Sequence, residues 1–299
     1  MSNFIYVSDR GSERIVKYDS SNESFLQTVG SQGTGDDNFD GINNVASDNV
    51  HLYIVDRDNS RIIKRLNVDL SYVAQVGTLG SGNDNFDTPI GIAVDDLHIY
   101  VGDQNNSRIV KRLKSDLSYV SQIGSAGSGD DQFSFVAGLC CVNGFLYVAD
   151  AGNSRIVKRL ASDLSYVSEI GSSGLGDNQF NFPDSVVSDG TYVWVTDDSN
   201  NRIKKHLADD TLAYVSKIGV LGSANDEFSS PTAIAIDSSK TYIYVADWGN
   251  NRVVKRLASD LSYVSQFGSA EGIINPAGVA LDVLFLLSSS SSSFGNVIW

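Results

Sequence analysis

Residues 150–160 read DAGNSRIVKRL. An Asp, an Asn, a Ser and an Arg stand within six residues, a grouping that suits either an active site or a tight turn. The rest of the chain decides between them. The pattern stands again at 9–19 (DRGSERIVKYD), 56–66 (DRDNSRIIKRL), 103–113 (DQNNSRIVKRL), 197–207 (DDSNNRIKKHL) and 247–257 (DWGNNRVVKRL). Catalysis needs such a constellation once, so six copies describe a scaffold.

The anchor residues Asp9, Asp56, Asp103, Asp150, Asp197 and Asp247 are spaced 47, 47, 47, 47 and 50 residues apart. The extra residues of the last interval fall in turns, in LADDTLAY (207–214) and DSSKTYIYVAD (237–247), and the apolar runs stay intact. One unit predicts four short strands rich in Val, Ile and Tyr: a, GIAVD (91–95); b, HIYVGD (98–103); c, RIVKRL (108–113); d, SYVSQIG (118–124). Asp, Asn, Gly and Ser separate them, and a longer loop, GSAGSGDDQFSF (124–135), leads to the next unit. Four antiparallel strands at this period make a propeller blade.

Starts of strand a fall near Asn44, Gly91, Gly138, Ser185, Ala233 and Gly278, giving six blades. The first strand of the chain (4–9) is a strand b, and AGVALD (277–282) supplies a spare strand a. The expectation is an all-β, six-bladed propeller. Pairing of the C-terminal strand a with the N-terminal strands b, c and d would close the ring and protect its edges. Residues 1–282 form the propeller; 283–299, VLFLLSSSSSSFGNVIW, are expected as a Ser-rich linker or self-assembly segment.

The unit IGSSGLGDNQFNFP…YVWVTDDSNNRI resembles the NHL repeat, whose pattern runs G-x-x-G-x-G-x-x-x-F-x-x-P-x-G-I-A-V-D and then Y-V-A-D-x-x-N-x-R-I. The resemblance spans about residues 3–282 and implies a six-bladed propeller.

Composition narrows the function. The 299 residues carry a net charge of −14, which disfavours nucleic acid and anionic membranes as partners. No run of 18 apolar residues and no signal peptide is visible; the Ser, Asp, Asn and Gly content favours an extracellular or virion surface. Adjacent Cys140 and Cys141 point to opposite faces of a strand, so neither a disulfide between them nor a metal-type spacing is expected. No cofactor or metal is expected.

Four groups of polar residues are candidates for a site. Asp9 and Arg14, Asp56 and Arg61, Asp103 and Arg108, Asp150 and Arg155, Asp197 and Arg202, and Asp247 and Arg252 flank the b–c turns and are expected to clamp them. Seventeen of the 22 Lys and Arg residues lie in the strand-c motifs, spread round the ring rather than concentrated as RNA binding requires. The d–a loops carry Asp36, Asp37, Asp84, Asp130, Asp131, Asp177, Asp226 and Glu227, expected to make one face negative through solvated carboxylates. On the axis, Asn43 and Asp184 are three blades apart and would face each other, a candidate polar-ligand site. His51, His98 and His206 fall on strands b, b and c, away from it, so no catalytic residue is assigned. The expected function is a noncatalytic protein- or glycan-interaction or structural module within a larger assembly. The alternatives are an axial-site enzyme or metal binder, then an RNA-binding propeller.

Overall fold

The computed structural model describes residues 4–282, so the expectations for 283–299 lie outside the described residues. Six four-stranded antiparallel sheets are present in this span, each one blade. The blades are numbered 1 to 6 by their anchor residues from Asp9 to Asp247. In blade 3, strand a is Pro89–Val94, b is His98–Asp103, c is Arg108–Leu113 and d is Tyr119–Ile123. Strands b and c have the predicted bounds; a and d are each displaced by one or two residues.

Blade 1 joins the two ends of the chain. Its strand a, Pro276–Leu281, pairs with strand b, Phe4–Asp9, in the register Ile5↔Leu281 and Val7↔Val279. This is the expected closure. Strands b and c are buried on both faces because each sheet is covered by its neighbours, whereas strands d at the rim alternate between exposed and half-buried residues. The apolar core therefore lies between blades, as in the cluster joining Tyr100, Ile109 and Ala93 of blade 3 to Leu146, Val148 and Val157 of blade 4.

A polar seam adds to it. In each blade the strand-c lysine reaches into the next blade. Lys17 donates to the Asn67 and Val68 carbonyls, Lys64 to those of Lys114 and Ser115, and Lys111 to those of Ala161 and Ser162. Lys158 and Lys205 do the same at Ala208 and Ala258, and Lys255 closes the circle on the Glu23 carboxylate at 2.9 Å. Strand-b tyrosines share these acceptors: Tyr100 Oη donates to the Ala161 carbonyl at 3.0 Å and Tyr147 Oη to that of Ala208 at 2.9 Å. Each unit thus completes the hydrogen bonding of its neighbour.

Cys140 and Cys141 lie on strand a of blade 4 (Val136–Val142), both free and half-buried. Burial pushes each thiol up to about 12.

Candidate functional site at the upper axial mouth

The d–a loops and b–c turns form one face of the ring, here the upper face. Most of its repeated polar groups are used within the fold. All six Asp–Arg pairs meet at 2.6–2.9 Å, with fully buried carboxylates. In blade 3, Asp103 Oδ1 accepts from the Asp87 amide, and Asp103 Oδ2 accepts from the Asn106 side chain and Arg108 Nε. The Arg108 guanidinium also donates to the carbonyls of Ser81, Gly82 and Asn85. The pair binds the b–c turn to the loop that enters the same blade.

A second strand-c arginine fastens the tip of that loop. Arg65 pairs with Asp37 at 2.7 Å and Arg112 with Asp84 at 2.5 Å; Arg159 and Arg256 pair with Asp131 and Asp226. Asp177 pairs with Lys217 at 3.0 Å, and Glu227 accepts from the Ser223 and Ala224 amides. Asp36 and Asp130 contribute backbone carbonyls to Arg65 and Arg159. The paired loop carboxylates are 58–75% exposed, and they fasten their loops from the solvent side. The strand-c basic residues are correspondingly buried: Lys111 is 4% exposed and Arg112 1%. None of the three histidines is on the axis, as expected. His206 is buried with Nδ1 2.8 Å from the Leu212 carbonyl oxygen, and burial lowers it to about 4.

The axis differs. At the start of each strand a the ladder to strand b is irregular. In blade 5, Pro183 pairs with Asp197 and Ser185 with Thr196, leaving Asp184 unpaired between them. The same irregularity places Thr232 and Ala277 in blades 6 and 1, and Asn43 and Ile90 in blades 2 and 3. A bulge re-aims a side chain, and here these residues line the axis. A cavity of about 180 Å³ opens there, lined by Asn43, Ile90, Asp184, Thr232 and Ala277 together with Arg10, Arg57, Trp248, Phe135 and Phe182. Asn43 and Asp184 thus share one cavity.

Arg10, Arg57 and Trp248 are the first residues of their b–c turns, each directly after an anchor Asp. This position reads Arg, Arg, Gln, Ala, Asp and Trp from blade 1 to blade 6, a variation that marks it as unlike the scaffold. Sequence reasoning passed over it because the anchors drew the eye to what repeats. Phe135 and Phe182 stack edge-to-face with centroids 4.9 Å apart.

Burial, then the charge of Asp198, pushes the Asp184 carboxyl up to about 8, against the opposing pull of Arg10. Burial likewise raises Asp198, whose Oδ1 is enclosed without a hydrogen-bond partner, as is Arg57 Nε. The arginines of blades 1 and 2 therefore face the two carboxyls of blade 5.

The lower end of the axis holds a wider cavity of about 640 Å³, walled by strand-a residues such as Ile92, Leu139 and Val279 and rimmed by a–b turns. Its aspartates serve their own turns: Asp95 Oδ1 accepts from the Leu97 and His98 amides, and Asp189 Oδ1 from those of Thr191 and Tyr192. Among the described residues no group of three or more His, Cys, Asp or Glu converges as a metal site would require.

A closed ring of six four-stranded blades, with its non-repeating residues gathered at one axial mouth, defines a β-propeller. The NHL-repeat family model matches residues 86–111, the loop and strands a to c of blade 3. The match covers one of the six repeats and, with the six-bladed ring, supports an NHL-repeat propeller. No curated protein matches it in sequence. Among solved structures it is similar in fold to a chain of a nidogen/laminin complex, with a TM-score of 0.68, 13% identity, and coverage of 95% of this chain and 99% of that one. It is also similar to a functionally unknown protein from Desulfotomaculum acetoxidans (TM-score 0.64, 12% identity, coverage 95% and 100%). A protein of unknown function from Bacteroides caccae gives a TM-score of 0.68 at 12% identity, with coverage of 94% and 99%.

Proposed function

We propose that this chain is a noncatalytic binding propeller that engages a protein partner through its upper face. One observation carries the reading: the polar residues that repeat are consumed by the scaffold, whereas the variable Arg10, Arg57, Asp184 and Trp248 gather at the upper mouth. The rim around that mouth suits a protein. Leu79, Leu175 and Leu221 of the d–a loops are 70–72% exposed, and Trp248 is 38% exposed at the centre. Exposed apolar and aromatic side chains over a rigid frame are what protein interfaces use. A propeller of similar fold occurs in a nidogen/laminin complex.

The test is capture of partners by the intact chain and by charge-insertion variants of each face. Leu175→Glu and Trp248→Ala on the upper face should abolish capture of a partner that Leu97→Glu, on the lower face, retains. A partner indifferent to both upper variants overturns the reading.

Asp184 favours a second reading, an axial-site enzyme, because a carboxyl held protonated near neutrality in a cavity has the properties of a general acid. Hydrolysis of a lactone, ester or phosphoester by the intact chain that disappears in Asp184→Asn would establish it in place of the first.

A further inference from the structure

Of the 22 Lys and Arg residues, seventeen belong to the strand-c motifs, where they serve the turns, loops and seams described above. Five remain. Lys114 pairs with Asp48 at 3.3 Å, Lys217 with Asp177, and Lys240 donates to the Asp189 carbonyl. The other two, Arg10 and Arg57, sit on adjacent blades and both line the upper mouth. Among the described residues, the one ion pair that either makes is Arg57 with exposed Asp58, at 3.7 Å. The anchor aspartates of this face each hold an arginine; Asp184 has no such partner, and Arg10 acts on it only through its field. Guanidinium groups and a carboxyl that line one cavity without meeting are a site that a bridging ligand completes, because a charge enclosed there is costly until it is matched.

We propose that the upper axial mouth binds a small zwitterion, its carboxylate at Arg10 and Arg57 and its ammonium at Asp184. Guanidinium groups take a carboxylate through paired N–H donors, and two side by side form a wider fork. Asn43, on the blade of Arg57, adds an amide. At the other end Asp198 reinforces the negative field, and Trp248 on the neighbouring blade offers an aromatic face to a cation. The apolar walls, Ile90 and the Phe135–Phe182 pair, suit a short methylene chain between the charges. The volume of about 180 Å³ fits a molecule of amino-acid size and excludes a folded peptide segment. This site lies inside the rim proposed to meet a protein and shares Trp248 with it.

The test is calorimetric titration of the intact chain with glycine and the ω-amino acids of two to five methylenes, beside acetate and methylammonium. One member of the series should bind at least about tenfold more tightly than either singly charged probe. Asp184→Asn and Arg57→Gln should each weaken it by about tenfold or more, and Lys217→Gln should leave it unchanged. The chain length that binds best reports the distance between the two charged walls. Affinity should rise from pH 6 to 9 as Asp184, faced by Asp198, Arg10 and Arg57, gives up its proton to meet the ammonium. The proposal is overturned if no member of the series binds at millimolar concentration. It is equally overturned if acetate or methylammonium binds as well as the best zwitterion, or if Arg57→Gln, a half-buried turn residue whose loss leaves the blades intact, binds like the native chain. Loss of zwitterion binding with partner capture retained would strike this proposal alone.

Discussion

At the scale of single residues, blade 5 carries an exchange that tests the logic of the whole repeat. In blades 2, 3, 4 and 6 the second strand-c arginine spans the c–d turn and the d–a loop; Arg159, for example, donates to the carbonyls of Leu164 and Asp130. In blade 5 that position is His206, which keeps the turn contact, at the Leu212 carbonyl, and cannot reach the loop. Two residues earlier, where blades 2, 3, 4 and 6 have Ile or Val, stands Lys204. Its ammonium donates to the carbonyls of Gly176 and Asp177 at 2.7 and 2.8 Å. Two side chains thus do in blade 5 what one Arg does elsewhere. Lys204→Val should destabilise the ring by about 1–3 kcal/mol, because the loop carbonyls of Gly176, Asp177 and Gln179 lose their charged donor. His206→Arg should crowd the native chain yet recover stability in the Lys204→Val background. Denaturant midpoints for the four chains give the coupling directly, and additive effects would contradict the exchange. Asp184 makes a second residue-scale case. Its carboxyl is raised to about 8, so the folded chain holds this proton more tightly than the unfolded one. The associated stability is fully present below about pH 4 and is lost as pH rises towards 8. Relative to the native chain, Asp184→Asn should therefore gain melting temperature as pH climbs through that window, and parallel profiles would refute the assignment.

At the scale of the element, the b–c hairpin with its Asp–Arg clamp is the unit the sequence made legible. Period, residue types and turn chemistry all agree there, and strand bounds such as His98–Asp103 and Arg108–Leu113 follow from local pattern alone. The clamp's function follows too. Asp150→Ala leaves buried Arg155 Nε and the Ser134 amide without their acceptor, while Glu169 and three loop carbonyls still hold the guanidinium, so the lost charged hydrogen bonds cost about 2–4 kcal/mol. Melting of Asp150→Ala should show a loss in that range, while partner capture at a temperature where it remains folded should be unchanged; lost capture by the folded variant would make the clamp a binding residue. What local pattern does not carry is contact between units. Lys111 reads as one more surface charge until the next blade supplies Ala161 and Ser162 as acceptors. Arg10, Arg57 and Trp248 are invisible for the same reason. They lie on separate blades and share a wall only once the ring closes. Asn43 and Asp184 were legible because blade counting alone sets them opposite each other.

At the scale of the molecule, the ring is held shut where the chain's two ends meet, and that junction departs from the repeat in two ways. The blade 6 lysine, Lys255, finds a carboxylate in place of the carbonyl that each of the others reaches. Although burial pulls Lys255 down, its bond to Glu23 raises it, and Ser265 Oγ donates to the same carboxylate. Within blade 1, strand a belongs to the far end of the chain, and Asp282 after it is buried at the seam between blades 1 and 2. There it accepts from Ser47 Oγ at 2.8 Å and the Asn67 side chain at 2.7 Å. Both contacts join segments more than 200 residues apart, so both act on closure rather than on any one blade. Glu23→Ala should cost about 1–3 kcal/mol, since it leaves a half-buried ammonium unpaired. Deleting residues 276–299 should do more. Without strand a of blade 1 the strand-b edge at Ile5, Val7 and Asp9 loses its partner, and a bare apolar edge invites pairing between chains. Light scattering beside a chain ending at 282 measures this. The shorter chain should self-associate and unfold over a broad range, whereas the one that keeps residues 276–282 should melt in a single transition. Equal behaviour of the two would mean that the radial packing of the remaining blades, and not the joined strand, holds the propeller together.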